Sequence, residues 1–231
     1  MKIDVESLDE REILRTMGYR GSEIPTDLES LIQRCIRQTL DTIQPRAVFR
    51  RFPIEKDADS IRIQGTDLIL PGTSIQKHLE TSNEVWLFAV TVGQGTDKLI
   101  RTALSEKPEE GVILDSCAAI AVETAADKLQ EMLRETAERE GKFITSRFSP
   151  GYGDLPLTVQ RNFLTILDTS RKIGLTVTES FLMVPSKSVS AIIGISPTEI
   201  QTKQNPCDGC ILRTTCELRK AGNPCWKRRI K

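Results

Sequence analysis

The segment SRFSPGYGDLPLTVQ, residues 146–160, gathers the side chains best suited to hold a small ligand. Arg147 carries a planar guanidinium fork that matches a carboxylate through two parallel hydrogen bonds. A short step along the chain, Tyr152 adds a flat ring with a polar tip. Pro150 stiffens the backbone between them, while Gly151 and Gly153 admit positive φ and close approach of the main chain to a ligand. Together these types suit a small zwitterionic or aromatic ligand. They also fit a plain helix-connecting turn in which Arg147 pairs with a surface acid.

Two acids and a group of thiols complete the chemically able residues. Glu123 sits in an alanine-rich helical stretch beside Ala119, Ile120 and Ala126, whose small side chains let another body approach. Its carboxylate could meet an amine or hydroxyl, and equally it could be a solvated helical glutamate. Glu179 falls in register with the apolar positions of a strand-like run, where a carboxylate needs a partner or water. Cys207, Cys210, Cys216 and Cys225 crowd near the C-terminus, and a C-x-x-C turn over Asp208-Gly209 can grip one metal with both sulfurs. Four thiolates suit zinc or an iron–sulfur cluster, although the spacing is neither that of ferredoxins nor that of a double C-x-x-C ribbon. Reduced, unliganded cysteines are the plain alternative. Arg213, Arg219, Lys220, Lys227, Arg228, Arg229 and Lys231 make the same tail basic, which suits steering of an acidic redox partner or, in a zinc-finger reading, nucleic-acid phosphates.

The elements that must position these residues are legible from periodicity. Ser7 and Glu10 form a capping-box pattern for a short helix ending before Gly18 and Gly21. After Pro25, Leu28, Leu31, Ile32, Cys35, Ile36, Leu40 and Ile43 recur at helical spacing, which makes Cys35 a core thiol. RAVFRRFPI and SIRIQGTDLIL read as extended segments, with a turn or helix over Ser74–Leu79. EVWLFAVTVG is apolar almost throughout and reads as a central strand buried on both faces. GQGTDKLI turns into a helix, and the longest helix covers about Val112 to Arg139. PLTVQRNFLTILDTSRKIG reads as one helix ended by Gly174. LTVTESFLMVPSKSVSAIIGIS reads as a hairpin, with Leu175, Val177, Phe181 and Met183 facing Val189, Ala191, Ile193 and Ile195. Helices and strands mix without strict alternation. The expected class is therefore α+β with a twisted, largely antiparallel sheet flanked by helices.

With 231 residues the chain can bury a substantial core, and 32 basic against 32 acidic residues leave no global attraction to polyanions. Nucleic acid is thus an unlikely partner outside the tail. No apolar run is long enough to span a membrane and no signal-peptide pattern opens the chain, so a cytoplasmic location with reduced thiols is expected. The domain reading is residues 1–200, including an N-terminal helical segment over 1–45, followed by a Cys-rich tail over 201–231.

RFSPGYGDLP followed by IGLTVTESFLMVPSKSVSAIIGIS resembles the activation, or reactivation, domain of cobalamin-dependent methionine synthase. In that family an Arg-x-x-Pro-Gly-Tyr loop precedes a helix and then a T-E-S-F-x-M-x-P-x-x-S-V-S segment. The resemblance spans about residues 46–200 and is strongest from 145 onward. It implies a sheet and helices bent into a C-shaped, helmet-like form, S-adenosylmethionine as ligand, and cobalamin carried on a partner. Members support reductive remethylation of oxidised cobalamin, with a flavodoxin- or ferredoxin-like electron donor. By position, Arg147 would hold the methionine carboxylate, the Ser149 and Gly151 backbone would line the site, Tyr152 would lie near the cobalamin, and Glu123 would supply an acidic contact. The family's N-terminal acidic contact has no counterpart in the opening residues, and no Asp-x-His-x-x-Gly cobalamin signature surrounds the single histidine, His78. The resemblance thus implies a stand-alone component of a split methionine synthase (a methyltransferase) that meets a synthase lacking its own activation domain in trans. The alternative is an iron–sulfur reductive activator of other corrinoid methyltransferase proteins.

Overall fold

In the computed structural model, residues 1–19, 23–200 and 214–220 are described below. The chain divides into two compact units, Met1–Thr198 and Glu199–Lys231. In the second unit, the described residues include one short helix, Glu217–Lys220, which follows Cys216. Cys207, Cys210 and Cys225 lie outside the described residues, as does Gly21; Cys216 is a free thiol.

The first unit is α+β. Its strands are β1 (Arg46–Lys56), β2 (Ser60–Ile63), β3 (Ile69–Pro71), β4 (Glu84–Thr91), β5 (Phe143–Ile144) and β8 (Ser188–Ser196), in the order β3-β2-β1-β4-β8-β5. Every neighbouring pair in this sheet is antiparallel. A separate two-stranded ribbon pairs β6 (Thr176–Val177) with β7 (Met183–Val184).

The near-continuous apolar run of β4 has the expected cause. One face of the sheet is covered by α1 (Glu10–Thr16), α2 (Thr26–Thr42), α4 (Gln94–Glu106) and α5 (Pro108–Arg139), and takes Trp86, Phe88 and Val90 into its core. The other is covered by α3 (Thr73–His78), α6 (Gln160–Leu167) and α7 (Thr169–Ile173), and takes Val85, Leu87 and Ala89. Alternating side chains of one strand thus feed two cores. Cys35 and Cys117 are buried in the first core, where burial pushes their thiols up to about 11 and about 12. Both are inert packing residues at neutral pH.

Four local expectations are corrected. The cap of α1 is Asp9, whose carboxylate accepts from the Arg11 and Glu12 amides, and not Ser7. Residues 156–174 form a 3-10 turn, Leu157–Val159, and two helices, because Asp168 adopts a left-handed φ of 54° between them. The segment 175–183 does not pair with 189–195. It folds back on itself as β6–β7, Pro185 offers no amide to continue the ladder, and β8 is drawn between β4 and β5, where its apolar residues are buried. Glu179 consequently lies exposed in the β6–β7 turn instead of on a core face.

Candidate ligand-binding site

The site grows from the segment that leaves β5. Thr145 N–H donates to Gly194 O at 3.0 Å, and Gly194 N–H donates to Thr145 Oγ1 at 2.8 Å. Phe148 and Ile192 exchange both backbone bonds, at 2.9 and 2.8 Å. Residues 143–148 thereby run along β8 and inherit its rigidity. Arg147 sits between these anchor points and is 7% exposed, with its side chain against α5.

Helix α5 supplies the acids. Glu123 and Asp127 are four residues apart, so their carboxylates share one helical face. Arg147 Nη2 donates to Glu123 Oε2 at 3.0 Å and lies 2.7 Å from Asp127 Oδ1. Arg147 Nη1 is buried and finds no hydrogen-bond partner among the described residues. A buried guanidinium nitrogen with unpaired protons is costly, and an incoming carboxylate oxygen would relieve it.

After Phe148 the chain enters a tight loop. Tyr152 N–H donates to Ser149 O at 3.0 Å, Gly151 N–H to Leu155 O at 2.9 Å, and Leu155 N–H to Tyr152 O at 3.0 Å. Gly151 and Gly153 have φ of 89° and 55°, so both glycines meet a backbone need that the sequence anticipated. At Gly153 space decides as well, because a Cβ would stand 2.6 Å from Ser74 Oγ. Tyr152 is 49% exposed and packs edge-on against Phe148, with ring centroids 6.0 Å apart. Leu157, also exposed, lies beside Gly151.

This loop is fastened to α3. Asp154 accepts from the Thr73 and Ser74 amides at 2.8 and 3.0 Å and from Thr73 Oγ1 at 2.9 Å, closing the helix N-terminus from a distant segment. Those bonds, led by the one from Ser74 N–H, hold the Asp154 carboxyl far below its ordinary range. At the other end of α3, His78 Nε2 bonds Ser146 O at 2.9 Å and its ring tilts against Phe148, centroids 5.0 Å apart. Burial lowers the His78 pKa and outweighs the carbonyl, so the ring is neutral at pH 7.

The structure thus brings Arg147, Ser149, Gly151 and Tyr152 into one loop and places Glu123 against its arginine. Of the two readings of Arg147, the pairing with acids is the one seen, with Glu123 and Asp127 of α5 as the partners. Three contributors escaped the sequence reading. Asp127 was signalled only by its spacing from Glu123. The Asp154 cap and the His78–Phe148 buttress join segments about 70 to 80 residues apart, which no local pattern marks. Among the described residues, no group of three or more His, Cys, Asp or Glu side chains is arranged to hold a metal, and no helix is long and apolar enough to cross a membrane.

A family model described as the vitamin B12-dependent methionine synthase activation domain matches residues 66–200. Among solved structures, the MetH reactivation domain bound to AdoHcy aligns with a TM-score of 0.65 and 20% identity, over 84% of this chain and 76% of that one. At that identity the likeness is one of fold. No curated protein matches the chain.

Proposed function

The chain belongs to the vitamin B12-dependent methionine synthase activation-domain family, and from that premise we propose that it binds S-adenosylmethionine at the Arg147–Tyr152 loop and supports reductive remethylation of cob(II)alamin on a partner protein. The observation that carries the reading is the buried Arg147, whose Nη1 has no hydrogen-bond partner among the described residues. A solved relative with this fold is bound to AdoHcy, the demethylated form of the same ligand.

The residues have distinct tasks in this reading. Arg147 takes the ligand's carboxylate, and Glu123, half-exposed beside it, is available to the ammonium. The sulfonium adds a second positive centre, so one arginine facing two acids complements a ligand of net charge +1. Ser149 and Gly151 let the ligand approach the main chain closely. The exposed Tyr152 ring flanks the face that a partner would cover. The partner's cobalamin, when present, supplies the metal that accepts the methyl group, with one electron from a flavodoxin- or ferredoxin-like donor. This chain's part is to hold the donor molecule, shield the amino-acid end and leave the methyl group accessible. It would then serve as the S-adenosylmethionine-binding component of a synthase whose cobalamin module lies on another chain.

Titration calorimetry tests the reading directly. S-adenosylmethionine binds the wild type, and Arg147→Ala weakens it by about 30-fold or more, since a charged bond and its buried environment go together. An undiminished affinity in that variant would remove the loop from the site. Methylcobalamin formation from S-adenosylmethionine, a reductant and a methionine synthase lacking its activation domain tests the partner assignment.

A further inference from the structure

We propose that Asp127 is a positioning residue, acting through Arg147 to present the guanidinium to the ligand's carboxylate. The inference rests on the S-adenosylmethionine reading and deepens it. Arg147 Nη2 is shared between Asp127 Oδ1 at 2.7 Å and Glu123 Oε2 at 3.0 Å, while Nη1 stays buried without a partner among the described residues. The arginine side chain is 5% exposed, against 62% for Asp127 and 48% for Glu123, so the cation is fixed in the protein and the acids reach it from solvent.

A guanidinium is planar, and fixing one terminal nitrogen orients the other. With Asp127 on Nη2, the plane of Arg147 is set and Nη1 is the donor left for a carboxylate oxygen. Redundancy at Nη2 then has a use. Glu123 can leave the arginine for the cationic end of the ligand without releasing the guanidinium, because the shorter Asp127 contact remains. Asp127 touches the arginine and not the ligand, which separates its role from that of Glu123.

The test uses the intact chain and three probes, with Asp127→Ala and Asp127→Glu compared with wild type by calorimetry. S-adenosylmethionine and S-adenosylhomocysteine carry the carboxylate, and decarboxylated S-adenosylmethionine keeps the sulfonium and the amine without it. Asp127→Ala weakens the two carboxylate-bearing probes by about 5- to 10-fold and leaves the third within about 2-fold, as expected for loss of a partly exposed charge-assisted contact. Asp127→Glu restores most of the loss, and both variants melt at the wild-type temperature. An equal loss on all three probes overturns the proposal, because Asp127 then supports the site generally. A loss on the two sulfonium probes that spares S-adenosylhomocysteine also overturns it, since Asp127 then acts as a charge facing the sulfonium. Unchanged affinities overturn it while the ligand assignment stands, since Arg147→Ala still weakens binding by about 30-fold or more. Failure of the wild type to bind S-adenosylmethionine overturns both.

Discussion

At the scale of single residues, the site depends on positions where no alternative side chain has room. Gly153 combines a φ of 55° with a would-be Cβ contact of 2.7 Å to Ser74 Cβ. Gly153→Ala is expected to destabilise the protein by about 1–3 kcal/mol, through overpacking and a left-handed backbone. Thermal melting measures the loss, and calorimetry should show ligand affinity falling with it, because the loop must shift away from α3. An alanine variant with wild-type stability would mean that Ser74 yields freely. The residue types in this loop were legible in the sequence because Arg, Pro, Gly and Tyr declare their capabilities locally. The acids that pair with Arg147 were only half legible. Glu123 was singled out and Asp127 was not, although one helical turn separates them, because an exposed helical aspartate carries no mark of its own until a tertiary partner lands on it.

At the scale of elements, the loop and α3 form one unit through Asp154. Its carboxyl is held below the ordinary value of 3.8 by bonds that exist only in the folded state. Its contribution is therefore full above that value, declines as the pH falls toward the depressed folded value and is gone below it. Asp154→Asn should melt below the wild type at neutral pH, and the two melting curves should converge in acid. A gap that persists at the lowest accessible pH would assign the effect to something other than the ionised carboxylate. Sequence reading did well on elements with a strong local apolar signal, notably the helical period of α2 and the continuous apolar run of β4. It failed where a long-range choice overrides a local one. Residues 175–195 carry the alternation of a hairpin, but β8 gains more by filling the gap between β4 and β5 than by pairing with its sequence neighbour. The break at Asp168 was hidden because aspartate at positive φ has no period to disturb.

At the scale of the whole first unit, an ion-pair network ties the sheet to the end of α5. Arg51 bonds both Glu84 and Glu140, at 2.7–2.9 Å, and Lys142 Nζ reaches Glu84 Oε2 at 2.8 Å. The bonds from Arg51, with a smaller share from Lys142, hold Glu84 below the usual carboxylate range and bring Glu140 to about 2. Depressed carboxylates stabilise above their ordinary value and lose that contribution as pH falls through the folded one. Arg51→Ala should therefore lower the melting temperature at pH 7, with the deficit shrinking between about pH 4.5 and about pH 2; at this chain length each kcal/mol corresponds to roughly 2–4 °C. A deficit independent of pH would point instead to the stacking of Arg51 on Trp86. The sheet order has a further consequence, in time and not in space. β4 ends at Thr91 and its neighbour β8 begins at Ser188, and that late strand also supplies the bonds that hold Thr145 and Phe148 on either side of Arg147. As the chain leaves the ribosome, Arg147 emerges about 40 residues before the strand that fixes its segment, so residues 143–148 are held in place only once β8 has been made.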